Sequence, residues 1–275
     1  MRRIFLRWDR LSVLSLFLGL CARPLFGHDT WILPQRARVA PGTELSLDLT
    51  SGMAFPANEV AVKPDRLARA SIRLGGKATD LPQGSAAKDS LRIKARVLEP
   101  GIAALWVESK PRTLELKPKE VREYLDEIGA WDSIGKKWEA EGSGRWRETY
   151  VKHAKTFVRV GEPSGDSSWS EPVGMRLEIV PEKDPTLLVS GSDLPVRVLM
   201  DGKPLSDFPL GFVAAGQKTG SFQKTDEKGR AQISFNRQGW WLLRATLLTK
   251  SSQPDTDWES HFATLTVFVA GQGRE

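Results

Sequence analysis

The sequence predicts an all-β protein built from two antiparallel β-sandwich domains, with a short helical insertion in the first and an immunoglobulin- or transthyretin-like second. Three observations predict it. Apolar and polar residues alternate over short runs, as at Leu45, Leu47 and Leu49 and again over Leu91–Leu98. Turn signals separate these runs, among them Pro41-Gly42, Glu99-Pro100-Gly101 and Asp201-Gly202. One stretch, residues 161–172 (GEPSGDSSWSEP), is so rich in Gly, Pro and Ser that it reads as a linker between two folded halves.

Residues 1–27 read as a secretory signal peptide rather than as part of the fold. Met1–Arg10 is basic, Leu11–Cys21 is an apolar stretch of 11 residues, and Ala22–Gly27 carries Pro24. The apolar stretch is too short to span a bilayer, and no later run is long enough. The expected cut follows Gly27, with a cut after Ala22 as the alternative. Arg2-Arg3-Ile4-Phe5-Leu6-Arg7 also fits a twin-arginine export signal, so the route is Sec or twin-arginine. Either route predicts a periplasmic or otherwise extracytoplasmic protein. Leu20 is too large for a lipoprotein signal at Cys21.

Residues 28–160 read as the first sandwich. After the Leu45–Leu49 and Leu91–Leu98 strands comes Ile102–Glu108 (IAALWVE). The insertion lies near 117–141. Pro118 opens Lys119–Ile128, where Val121, Tyr124, Leu125 and Ile128 recur at helical spacing. A second piece runs from Trp131 to Glu141, and Gly142–Gly144 ends it. Residues 148–160 read as a strand, although Tyr150, His153 and Phe157 also fit one helix face.

After the linker, residues 173–270 give the second sandwich. Its expected strands are Met175–Val180, Leu194–Met200, Phe208–Ala214, Gly220–Lys224, Ala231–Phe235, Trp240–Leu248 and His261–Val269. Asp201-Gly202 marks a hairpin.

Composition removes several function classes. The net charge of +6 is concentrated at the N-terminus, and residues 28–275 hold 35 basic and 33 acidic side chains, a net of +2. Nucleic-acid binding loses its support. Cys21 is the only cysteine, so disulfides, Cys-ligated zinc, iron–sulfur clusters and thiol catalysis are excluded from residues 28–275. No nucleophile elbow, phosphate loop, HExxH or EF-hand spacing occurs, and the reading is a binding protein, not an enzyme.

The segments His28-Asp29-Thr30-Trp31-Ile32-Leu33-Pro34, Asp201-Gly202-Lys203-Pro204, Thr225-Asp226-Glu227-Lys228-Gly229, Gly239-Trp240-Trp241 and Ser260-His261-Phe262-Ala263-Thr264, taken in this order, resemble the DUF4198 family of exported bacterial proteins. That family is grouped with periplasmic components of nickel and cobalt uptake. The resemblance therefore implies extracytoplasmic metal handling and a membrane metal transporter as partner.

The histidines carry the candidate chemistry. There are three, His28, His153 and His261. A cut after Gly27 makes His28 the N-terminus, where α-amine and ring Nδ1 can close a six-membered chelate on one metal ion. Both nitrogens shed protons near neutral pH. An imidazole from His153 or His261 would complete a three-nitrogen histidine brace, a donor set suited to Cu, Ni or Co. Asp29 is an oxygen ligand or an orienter. The competing reading is a metal-free interaction or carbohydrate-binding module of the cell envelope, with exposed Trp stacking on sugars. It predicts that the three histidines lie apart.

Overall fold

The computed structural model describes residues 28–162 and 165–272. The expected signal peptide, with Cys21 and the paired arginines, lies outside the described residues. The strands before the linker are β1 (Asp29–Pro34), β2 (Arg38–Val39), β3 (Glu44–Gly52), β4 (Val60–Ala61), β5 (Leu67–Leu74), β6 (Lys77–Asp80), β7 (Ser85–Ala86), β8 (Leu91–Arg96), β9 (Gly101–Ser109), β10 (Arg112–Leu116) and β11 (Trp146–Val160). Those after it are β12 (Leu177–Pro181), β13 (Asp193–Met200), β14 (Lys203–Pro204), β15 (Pro209–Ala214), β16 (Ser221–Lys224), β17 (Arg230–Ser234), β18 (Gly239–Lys250) and β19 (Trp258–Val269).

They form three sheets. A ten-stranded sheet runs β16-β15-β18-β19-β11-β9-β5-β6, with β2 and β10 also paired to β11. A five-stranded sheet (β1-β3-β8-β7, with β4 on β3) packs on one face of it, and a four-stranded sheet (β12-β13-β14, with β17 on β13) packs on the other. Side-chain alternation on β9 shows the division. Ala103, Leu105 and Val107 join Leu47, Leu49 and Ile93 under the five-stranded sheet, whereas Ile102 and Ala104 join Val196, Val198 and Ile233 under the four-stranded one. A strand covered on both faces needs apolar side chains on both, so β9 reads as a nearly unbroken apolar run.

The linker separates the two small sheets in sequence, but the large sheet takes strands from both sides of it. The seam is a parallel pairing of β11 with β19, from Glu148 opposite Trp258 to Thr156 opposite Thr266. Each strand would otherwise present a long row of unpaired N–H and C=O groups. The linker is also held down. The Arg73 guanidinium donates to the carbonyls of Ser168 (2.6 Å) and Pro172 (3.1 Å). Glu178 accepts from the N–H groups of Val173 and Gly174 and from Lys155 Nζ at 2.6 Å, which ties the four-stranded sheet to β11.

The insertion is α1 (Pro118–Glu127), a wider turn over Trp131–Gly135, and α2 (Lys136–Ala140). Pro118 starts α1 where no N–H is needed, and the Lys117 N–H donates to Glu120 Oε2 at 2.8 Å. Gly129, at φ +71, ends it. Val121, Tyr124 and Leu125 face inward onto Trp146, Trp258 and Phe262 at one end of the seam. Trp146 and Trp258 stack at 4.5 Å. Buried Glu148 lies among these rings and accepts from Tyr124, Trp146 and Ser260.

Candidate functional site

His28 enters β1, whose backbone is fixed against the large sheet. Lys152 Nζ donates to the His28 carbonyl at 2.6 Å, and Thr264 Oγ1 donates to the Thr30 carbonyl at 2.6 Å. Asp29 pairs with Gly52 of β3. A side chain at Gly52 would place its Cβ 2.7 Å from Glu59 Cδ, so glycine is what admits the Glu59 carboxylate here. Glu59 is pinned by the Met53 and Ala54 N–H groups. The His28 ring is partly buried, and its Nδ1 is buried without a hydrogen-bond partner among the described residues. Burial lowers its pKa, the Lys152 charge lowers it further, and Glu59 and Asp29 oppose.

Asp29 is engaged elsewhere. Arg244 Nη1 donates to Asp29 Oδ2 at 3.0 Å and to Glu127 Oε1, from the end of α1, at 3.5 Å. Burial, then the Asp29 charge, raises the Glu127 carboxyl to about 7 against the pull of Arg244 and Lys152. Burial lowers the Lys152 ammonium to about 8, while Asp29 and Glu127 act the other way.

His153 and His261 lie on the opposite face of the sheet. Lys152 and His153 are consecutive on β11, so they point to opposite sides. Lys152 reaches the five-stranded sheet; His153 shares its side with Phe157 and the four-stranded sheet. There His153 Nδ1–H donates to Glu108 Oε2 at 3.1 Å, because the carboxylate can only accept. His153 Nε2 lies 3.1 Å from His261 Nδ1, and the rings are nearly parallel, 20° apart in tilt. Arg69 reaches Glu108 from β5 at 2.7 Å. Burial works to raise the Glu108 carboxyl, but the hydrogen bond from His153 and the Arg69 charge outweigh it and hold it below its ordinary value. His261 falls to about 4, through burial first and then the charges of His153 and Arg176.

The structure thus brings His153 and His261 together and leaves His28 on the other side of the sheet. The expected three-nitrogen brace is not formed, because β11 puts odd- and even-numbered residues on opposite faces. Asp29, the expected oxygen ligand, is instead the partner of Arg244. Among the described residues, no three His, Cys, Asp or Glu side chains are grouped as a metal site. Two members of these clusters, Glu108 and Glu127, are not among the candidate ligands that the sequence singles out. Glu108 could have been found as the carboxylate ending an apolar run, in phase with inward-facing Ala104.

A family model described as "Domain of unknown function (DUF4198)" matches residues 25–249. The chain belongs to the DUF4198 family. In this DUF4198 chain the matched span holds His28, Asp29, Glu108 and His153 and ends before His261. Among solved structures, the D0-D1 domain of intimin is similar at 12% identity, over 86% of this chain and 97% of that one, with a TM-score of 0.21. A bacterial ice-binding adhesin is similar at 9% identity, over 89% of this chain and 64% of that one, with a TM-score of 0.23. No curated protein sequence matches the DUF4198 chain.

Proposed function

We propose that this DUF4198 protein is exported to the periplasm and captures or delivers a transition-metal ion (Ni, Co or Cu) at His28, after cleavage behind Gly27. One observation carries the reading. The buried nitrogen of His28 that lacks a partner among the described residues is Nδ1, the ring atom that closes a six-membered chelate with the α-amine. The donor type suits these metals. The backbone supports it as well, since Lys152 and the pairing of β1 with β3 hold the residue in place whether or not an ion is bound. His28 would supply both nitrogens, with the remaining coordination open to solvent or to a partner. A site with two donors from this chain suits transfer better than storage, and a membrane transporter is the partner that would receive the ion. The protein acts as a carrier, not as an enzyme.

A competitive copper and nickel titration of protein beginning at His28, beside a form extended by one Met, tests this. Tight 1:1 binding that the extension abolishes is the expected result. His153→Ala and His261→Ala leave it unchanged. Weak binding, equal in both forms, overturns the reading.

The second reading is a metal-free interaction or carbohydrate-binding module. It is favoured by half-buried Trp240 and exposed Phe268, paired edge-to-face at 5.1 Å. His28→Ala would then fold and bind its partner normally.

A further inference from the structure

We propose that the groove between the β4–β5 connection and the Val107, Ser109, Arg112, Tyr150 and Lys152 end of β9, β10 and β11 is a binding site for a small organic di- or tricarboxylate anion. The groove has a volume of about 410 Å³, within the range of small-molecule sites. Four cationic side chains line it, Lys63, Arg66, Arg112 and Lys152, against one carboxylate, Asp65. Among the described residues none of the four has a carboxylate within ion-pair distance, although Arg69, Arg92, Arg159 and Arg244 around them all do.

The cations are spread around the cleft. Arg66 is fixed at one rim by donating to the carbonyls of Lys110 (2.7 Å) and Pro111 (3.3 Å). These neutral acceptors orient the guanidinium and leave its charge uncompensated. Lys152 stands at the inner wall, held by the His28 carbonyl. Lys63 and Arg112 are exposed at the mouth. Asp29 and Glu127 offset part of the Lys152 charge and Asp65 is the one carboxylate in the groove, so four cations still outnumber it, and a bound anion of two or three charges relieves the remaining repulsion. Arginine forks match carboxylate oxygens in pairs.

The walls decide between an organic anion and an inorganic one. Val62, Leu67 and Val107 also line the groove, so part of any occupant meets hydrocarbon. Phosphate has no apolar surface to bury there, whereas a carboxylate on a carbon skeleton does.

The experiment is calorimetry on the metal-free protein at low ionic strength, with citrate, succinate and inorganic phosphate as probes. Saturable 1:1 binding of citrate or succinate is expected, with phosphate at least about tenfold weaker. Lys63→Gln/Arg112→Gln, both exposed and remote from the core, is expected to weaken it by about tenfold or more, the equivalent of losing one or two charge-assisted contacts. His28→Ala binds citrate like wild type, which keeps this result separate from the metal reading. No saturable heat with either carboxylate, or equal affinity in the double variant, overturns the site. Phosphate as tight as citrate overturns the organic ligand.

Discussion

His153 Nε2 and His261 Nδ1 are 3.1 Å apart across the parallel seam, with Glu108 on the far side of the His153 ring. Burial disfavours a charged His261 ring, and the neighbouring His153 and Arg176 add to that. His261 therefore stays neutral down to about 4, while in the unfolded chain it titrates near 6.5. Between those values the unfolded state binds more protons, so stability is lost as pH falls from 6.5 to 4. Wild type is expected to lose about 2 kcal/mol through this group. His261→Gln flattens that part of the curve, as read by urea unfolding at pH 6.5, 5 and 4.

Glu127 has the opposite sign. Its folded carboxyl titrates at about 7, so between its unfolded value and 7 the folded state holds the extra proton. That contribution is present at low pH and lost as pH rises through 7. Glu127→Gln removes it. Unfolding free energies of wild type and variant at pH 5 and 8 are expected to show a pH-dependent difference of about 1–2 kcal/mol. A constant offset would mean that Glu127 ionises normally.

Lys155 and Glu178 form an ion pair with both side chains 1% exposed. Removing one partner leaves a buried charge. Lys155→Met is expected to cost about 3 kcal/mol, because Glu178 keeps its two backbone donors. Glu178→Ala is expected to cost more, about 5 kcal/mol, because it strands an ammonium and two N–H groups together. Guanidinium unfolding ranks the two, and the reverse order would contradict the contact pattern.

Arg73 holds the linker by its carbonyls, a task for a planar fork rather than a single ammonium. Arg73→Lys is expected to speed chymotryptic cleavage after Trp169 by about tenfold under native conditions, through more frequent local opening. An unchanged cleavage rate would show that other contacts hold the segment.

Local patterns made most of the fold legible. Val121, Tyr124 and Leu125 marked α1, and all three are buried. Asp201-Gly202 marked a hairpin, and both residues have positive φ, 48° and 75°, in the tight turn joining Met200 to Lys203. β11 was ambiguous because it is covered on both faces for much of its length, which erases the alternation that identifies a strand. The histidine geometry was hidden for a related reason. Which face each histidine takes depends on strand register, and the partner of each ring depends on a pairing between residues about 110 positions apart. Counting histidines names three candidates. It does not show that two of them meet ring to ring, with a carboxylate behind His153, while the third lies on the other face of the sheet.

The seam between β11 and β19 also dictates an order of events during synthesis. Among the described strands, the one that completes the middle of the widest sheet comes latest in the sequence. Until Trp258–Val269 is available, β11 keeps one open edge and β18 lacks its partner, so neither half can close early and wait for the other. A growing chain must keep β11 and the strands after it from pairing wrongly until β19 is available to join the two halves.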